Sequence, residues 1–227
     1  MRGKATKFSP IEKIPASDRH SFPLEKINGR LPQLRLADIV LVRHRRGITR
    51  RLLRRVTKSY WDHAALVIFS RNPEKGYSAD IIIEAIQYGL MTSLRRGFEI
   101  HRLEKYLKEP ELYDVGIKRF EWLPKEMQNR VRAFVLMNVD TPYYPQSTTK
   151  FFLAWISRTY RRIFMRRQRY SCSGMVQKAF YEAADWGERS KVIFRSMGYT
   201  PIQLQDITSP ADIAQSDTCT WVWNPHD

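Results

Sequence analysis

Cys172 opens the run Cys172-Ser173-Gly174-Met175-Val176, and behind it apolar residues return at helical spacing. Val176, Ala179, Phe180 and Ala183 fall on one helix face with the cysteine. A cysteine in the first turn of a helix meets unpaired backbone N–H groups and the positive end of the macrodipole. Both favour the thiolate, which is the nucleophilic form. The chemistry to look for is attack on a carbonyl, and the partner to look for is a base.

Of five histidines, His63 stands out. It begins His63-Ala64-Ala65-Leu66-Val67-Ile68-Phe69, a run of strand length and composition. A second such run, Asp80 to Ile86, carries one carboxylate in its interior, Glu84, among isoleucines and alanine. A buried carboxylate needs a cationic or N–H partner. If the two strands are neighbours, Glu84 reaches the far nitrogen of His63, giving nucleophile, base and orienting carboxylate in Cys172, His63 and Glu84. Plainer readings stay open: Cys172 as a small buried hydrophobe, His63 as a satisfied strand-edge imidazole, Glu84 paired with one of many arginines. Asp62 is an alternative orienter, disfavoured because adjacent strand residues face opposite sides. His44, in a basic run, reads as solvated; His101 and His226 lie in no motif. The Ser173 hydroxyl reads as serving the helix N-terminus, and Cys219 as a packing residue.

The elements that would position these groups follow from pattern. Residues 1–30, punctuated by Pro10, Pro15, Pro23 and Gly29, read as an irregular arm, and 31–227 as one domain. Strands are predicted near 38–43, 63–69, 80–86 and 113–118, with a basic helix between the first two. Helices are predicted over 124–139, with Pro124 in the first turn, over 147–167, and from Cys172 to near Gly187. Residues 191–222 read as short elements without a firm assignment. A strand-rich half carrying His63 and Glu84, followed by a helical half delivering Cys172, predicts an α+β domain with the cysteine helix packed on an antiparallel sheet.

Cys172-Ser173-Gly174-Met175-Val176-Gln177 resembles the cysteine motif of the NlpC-type, papain-like cell-wall amidases. Ala37 to Val42 resembles their strand entering the histidine motif, Trp61 to Ile68 resembles that motif, and Ile83-Glu84-Ala85 falls where the family places its third polar residue. The cysteine follows the histidine here, so the resemblance is to the circularly permuted branch, which includes relatives of lecithin:retinol acyltransferase. Arg45 to Tyr60 is similar to that branch's basic helix, and Thr208 to Ile213 to its closing segment. The resemblance spans roughly residues 34 to 216, and Gly174 departs from the carboxylate that permuted members often carry there. It implies a permuted papain-like fold and acyl transfer through a Cys172 acyl-enzyme with His63 as base. The substrates it implies are peptide amides or lipid acyl groups.

Composition narrows the rest. The formal net charge is +16, with 39 Lys and Arg against 23 Asp and Glu. Much of it lies in Arg43–Val56 and Arg158–Arg169, where arginine interleaves with large apolar residues, as in a helix on an anionic surface. Arg161, Arg162, Arg166 and Arg167 are the candidate residues for binding an anionic substrate or surface. Apolar stretches fall far short of the ~20 residues a membrane span needs. The N-terminal segment lacks the apolar core of a secretory signal, and the two cysteines imply no disulfide framework. A cytoplasmic protein, at most peripheral to a membrane, is expected. No cofactor is expected, and no metal, because the cysteines and histidines lack ligand spacing. The expected function is a cysteine hydrolase or acyltransferase acting on an amide, ester or thioester. The alternative is a non-catalytic basic module that binds anionic membrane or, less favoured, nucleic acid.

Overall fold

Isoleucine, valine and alanine dominate three segments, and in the computed structural model these pair edge to edge. The structure describes residues 32–47, 50, 51, 54, 59–76, 78–85, 98–139, 172–194 and 208–223. Strands β1 (Ile39–His44), β2 (His63–Phe69), β3 (Ile81–Ala85), β4 (Phe98–Arg102), β5 (Tyr113–Arg119) and β6 (Thr220–Trp223) form one sheet. Their spatial order is β4-β3-β2-β1-β5-β6, and every neighbouring pair is antiparallel. Helices α1 (Glu104–Leu107), α2 (Lys125–Met137), α3 (Cys172–Ala183) and α4 (Pro210–Gln215) complete an α+β architecture, with a 3-10 stretch at Trp186–Val192.

Both faces of the central strands are covered, which is why β1 and β2 read as nearly continuous apolar runs. On one face Ile39, Leu41, Ala64, Leu66 and Ile83 pack with Met127 and Val131 of α2 and Met175, Val176 and Phe180 of α3. On the other, Val40, Val42, Ala65, Val67 and Ile82 pack with Leu34, Leu103, Tyr106 and Leu107. Each such side chain contributes ~1.5–3 kcal/mol on full burial. The sheet is therefore a rigid partition between two cores. Gly116 of β5 lets the Trp61 ring cross close to the strand: a Cβ there would stand 2.8 Å from the indole and 2.9 Å from Trp221.

Charged groups fasten β5 to the chain on either side. Arg119 donates Nε and Nη2 to the Asp38 carboxylate, both at 2.7 Å. Lys118, buried, donates Nζ to the carbonyls of Ile213 (3.1 Å), Ala214 (2.9 Å) and Ser216 (2.7 Å). Those carbonyls close the end of α4, where Ile213 O also accepts from the Ser216 N–H at 3.3 Å, so a buried ammonium caps a helix C-terminus. At the other end Ser209 and Asp212 form a reciprocal capping box, with Pro210 just inside.

The expected strands are present with bounds shifted by a residue or so, and three expectations change. Pro124 is the extended residue before α2, not a residue of its first turn. Helix α3 stops at Ala183, before Gly187, because Asp185 turns extended (φ −64°, ψ 154°) and a 3-10 stretch follows. Strands β4 and β6 and helices α1 and α4 add to the expected set. Each is only four to six residues long, too short for periodicity to show. Of the expected basic helix, residues 50, 51 and 54 are helical. The expected N-terminal arm and the 147–167 helix, including Arg161, Arg162, Arg166 and Arg167, lie outside the described residues.

Candidate active site

The register of β2 on β3 brings His63 to Glu84. Ala65 stands opposite Glu84, so His63, two residues earlier, shares its face and sits on the diagonal. His63 Nε2 and Glu84 Oε2 are 2.6 Å apart, and the carboxylate is wholly buried. The same geometry removes Asp62 as orienter: it hydrogen-bonds His44 and Arg54 instead.

Glu84 takes two further partners, both from α1. The Tyr106 hydroxyl donates to Oε2 at 2.5 Å, and Lys105 Nζ closes an ion pair with Oε1. Its counter-cation is thus a lysine from a four-residue helix, where an arginine was the alternative expectation. Burial works against the Glu84 charge. Hydrogen bonds and charge from His63, with the Lys105 and Tyr106 bonds, outweigh it and hold the carboxyl down to about 2.

The second ring nitrogen of His63 is left for Cys172. The thiol, at the first residue of α3, is half-buried and lies within electrostatic reach of the His63 ring and the Ala64 N–H. Burial opposes charge on both groups. For His63, the Cys172 thiolate and then Glu84 overcome burial and raise the imidazolium to about 9. For Cys172, the His63 charge, the Ala64 N–H and the Arg50 charge overcome it and bring the thiol below its ordinary value. No acidic residue stands in the first turn of α3 to oppose the helix dipole. The resulting state is a thiolate–imidazolium pair with a carboxylate behind it, able to attack an acyl carbon and then deliver a proton.

Four groups at this site escape the sequence pattern: His44, Tyr106, Tyr113 and Arg50. His44 is not solvated as expected. Its Nδ1 lies 2.6 Å from Asp62 Oδ1, and its ring packs edge-on against His63 (6.2 Å between centroids), Tyr106 (6.4 Å) and Tyr113 (5.2 Å). The available signal was strand alternation: His44 lies two residues beyond Val42, which pairs with His63. Tyr106 and Lys105 gave no local signal, because only the chain path after β4 carries α1 to Glu84.

The basic run Arg43–Val56 also spends charge inward. Arg43 lies over the Tyr60 ring at 4.1 Å, Arg45 grips Asp114, and Arg54 pairs with buried Asp62 and donates to the His44 carbonyl at 2.7 Å. Ser173 does not serve its own helix end; its hydroxyl donates to Thr208 O at 2.7 Å. Gln177, also buried, clamps the following segment through Val192 O and Phe194 N. Cys219 is buried beside Lys118, and burial pushes its thiol up.

No protein-family model matches the chain, and no curated protein sequence matches it. Among solved structures, the chain is similar to the metalloprotein YiiX from Escherichia coli O157:H7, a DUF1105 protein. The two share 15% identity over 84% of this chain and 97% of that one, with a TM-score of 0.54. At that identity the likeness is one of fold. Among the described residues of this chain, no group of three or more His, Cys, Asp or Glu is arranged to hold a metal ion. No helix among them is long and apolar enough to cross a membrane.

Proposed function

We propose that the chain is a thiol-dependent hydrolase or acyltransferase of the permuted papain-like, NlpC-type kind. The observation that carries it is His63, whose Nε2 is held by Glu84 while the rest of the ring addresses Cys172. The Cys172 thiolate attacks the carbonyl carbon of an amide, ester or thioester, forming a C–S bond as the carbonyl π pair moves onto oxygen. The Cys172 backbone N–H, free at the start of α3, supplies one donor to that oxyanion. As the tetrahedral intermediate collapses, His63 gives its proton to the leaving amine, alkoxide or thiolate, and a thioester remains on Cys172. Neutral His63 then takes a proton from water, or from another acceptor, as it attacks the thioester and Cys172 leaves as thiolate.

The test is Cys172 alkylation against pH, read by intact mass in wild type and His63→Ala. Labelling that persists well below the ordinary thiol range and collapses without His63 is expected. Labelling with a midpoint near 8.5, indifferent to His63, would instead favour the second reading, a non-catalytic basic module. The net charge of +16 supports that reading, with anionic membrane before nucleic acid as its partner.

A further inference from the structure

Cys172 packs against the apolar core, and of the cations near the His63 site one, Arg50, is left largely uncompensated among the described residues. Asp62 is buried and fully engaged: Arg54 pairs with it, the His44 N–H donates to it at 3.1 Å, and His44 Nδ1 lies 2.6 Å away. Arg50 reaches the same carboxylate only at 4.0 Å, beyond hydrogen-bond range, and its side chain is 31% exposed. That is the one ion pair Arg50 makes among the described residues. Gly47 has φ +105°, and Arg51 N bonds back to Gly47 O at 3.1 Å. Asp62, 4.0 Å from Arg50, holds His44, whose ring lies 6.2 Å from that of His63, so Arg50 stands beside the His63 site, and its charge helps lower the Cys172 thiol. Beside it, His44 Nε2 has no protein partner among the described residues and is not among the buried unpaired atoms, so it opens to solvent.

We infer that Arg50, with the His44 ring held beside it by Asp62, is the binding point for an anionic group of the acyl substrate, a carboxylate or a phosphate, close to the scissile carbonyl. This rests on the thiol-enzyme reading above and adds the substrate's charge to it. The guanidinium is the donor suited to both oxyanions, because its planar fork matches their paired oxygens. The tyrosines of the wall stay neutral beside Glu84, since burial and then that carboxylate push the Tyr106 phenol up. They leave the Arg50 charge unopposed from that side.

Two small electrophiles test this whatever acyl group the protein naturally takes. Iodoacetate and iodoacetamide both alkylate a thiolate, forming C–S, breaking C–I and releasing iodide, and they differ in carrying a carboxylate or a neutral amide. At one pH the thiolate fraction is common to both, so the ratio of their rates at Cys172 cancels any effect of Arg50 on ionisation. The expected ratio falls about tenfold in Arg50→Gln, is largely kept in Arg50→Lys, falls further in Arg50→Glu, and shrinks in 1 M salt, roughly a 3 Å screening length. A ratio indifferent to all three substitutions, with thermal melts confirming folded variants, overturns the inference while leaving the thiol enzyme standing. Failure of both reagents to label Cys172 overturns both. Protection against iodoacetamide then assigns the anion: succinate alone marks a carboxylate, glycerol 3-phosphate alone a phosphate, both the shared chemistry, and neither overturns the proposal.

Discussion

Two imidazole–carboxylate pairs stand side by side with their rings 6.2 Å apart, built from the same kinds of residue. His63 offers Nε2 to Glu84 and turns its other nitrogen to Cys172; His44 offers Nδ1 to Asp62 and leaves Nε2 open. Glu84 is braced by a phenol and a lysine from α1, Asp62 by an arginine and a backbone N–H from its own stretch of chain. The difference teaches that the carboxylate beside a histidine does not define its role. What defines it is which nitrogen remains, and what that nitrogen meets. One pair lies beside a thiol, and the other is partly exposed.

The sharpest way to break the comparison is to remove each ring in turn. His63→Ala is expected to slow Cys172 alkylation and any acyl transfer by roughly 10²–10⁴-fold. His44→Ala should cost far less and act mainly on the iodoacetate-to-iodoacetamide ratio. Equal losses in the two variants, measured side by side at neutral pH, would erase the distinction between the two rings.

Next come the carboxylates. Glu84→Ala leaves the buried His63 charge without its partner and is expected to destabilise the fold by ~3–5 kcal/mol in urea titration. Glu84→Gln keeps the shape and is the better probe of chemistry. His63, raised to about 9, stays protonated up to that pH, so wild-type activity should fall on the alkaline side as pH passes about 9. Without the Glu84 charge that limb should move to lower pH. An unmoved limb would mean that Cys172 alone sets it.

The same shifts predict the pH dependence of stability. His63 has a folded value raised from 6.5 to about 9, so its contribution is full below about 6.5 and is lost as pH rises through about 9. Glu84 is lowered from 4.5 to about 2, so its contribution is full above about 4.5 and is lost as pH falls through about 2. In His63→Ala, urea midpoints should show a flattened alkaline loss and a reduced acid loss, because His63 supplies the largest interactions that hold the Glu84 carboxyl down. The smallest effect belongs to Tyr106→Phe, which removes one hydrogen bond to a charged group and should cost ~1.5–3 kcal/mol. It should leave the alkaline limb nearer its wild-type position than Glu84→Gln does.

Much of the site was legible because its three residues lie in strongly patterned segments. A histidine heading a β-branched run, a lone carboxylate within another, and a cysteine heading an amphipathic helix each announce burial by contrast with their neighbours. Arg161, Arg162, Arg166 and Arg167, marked out by charge alone, have no such contrast. The inward use of Arg45 and Arg54 shows how little charge density says about where a side chain goes. Strand alternation is enough to turn Asp62 away from His63, yet nothing local marks His44 as its partner. A histidine among arginines looks solvated until the strand it ends is paired.

The sequence by itself determined the α+β class, the core strands, the cysteine helix and the residue types able to form a nucleophile, a base and an orienting carboxylate. Periodicity and burial contrast are local properties, written within ten or so residues. Only the tertiary structure decided that β2 lies beside β3 in the register that sets Ala65 opposite Glu84. Only it brought Tyr106 and Lys105 over that carboxylate, and gave Asp62 to His44 and Arg54. Those outcomes depend on strand register and on the path of the chain between elements. Both are fixed by packing two cores against a single sheet, and no short stretch of residues encodes them.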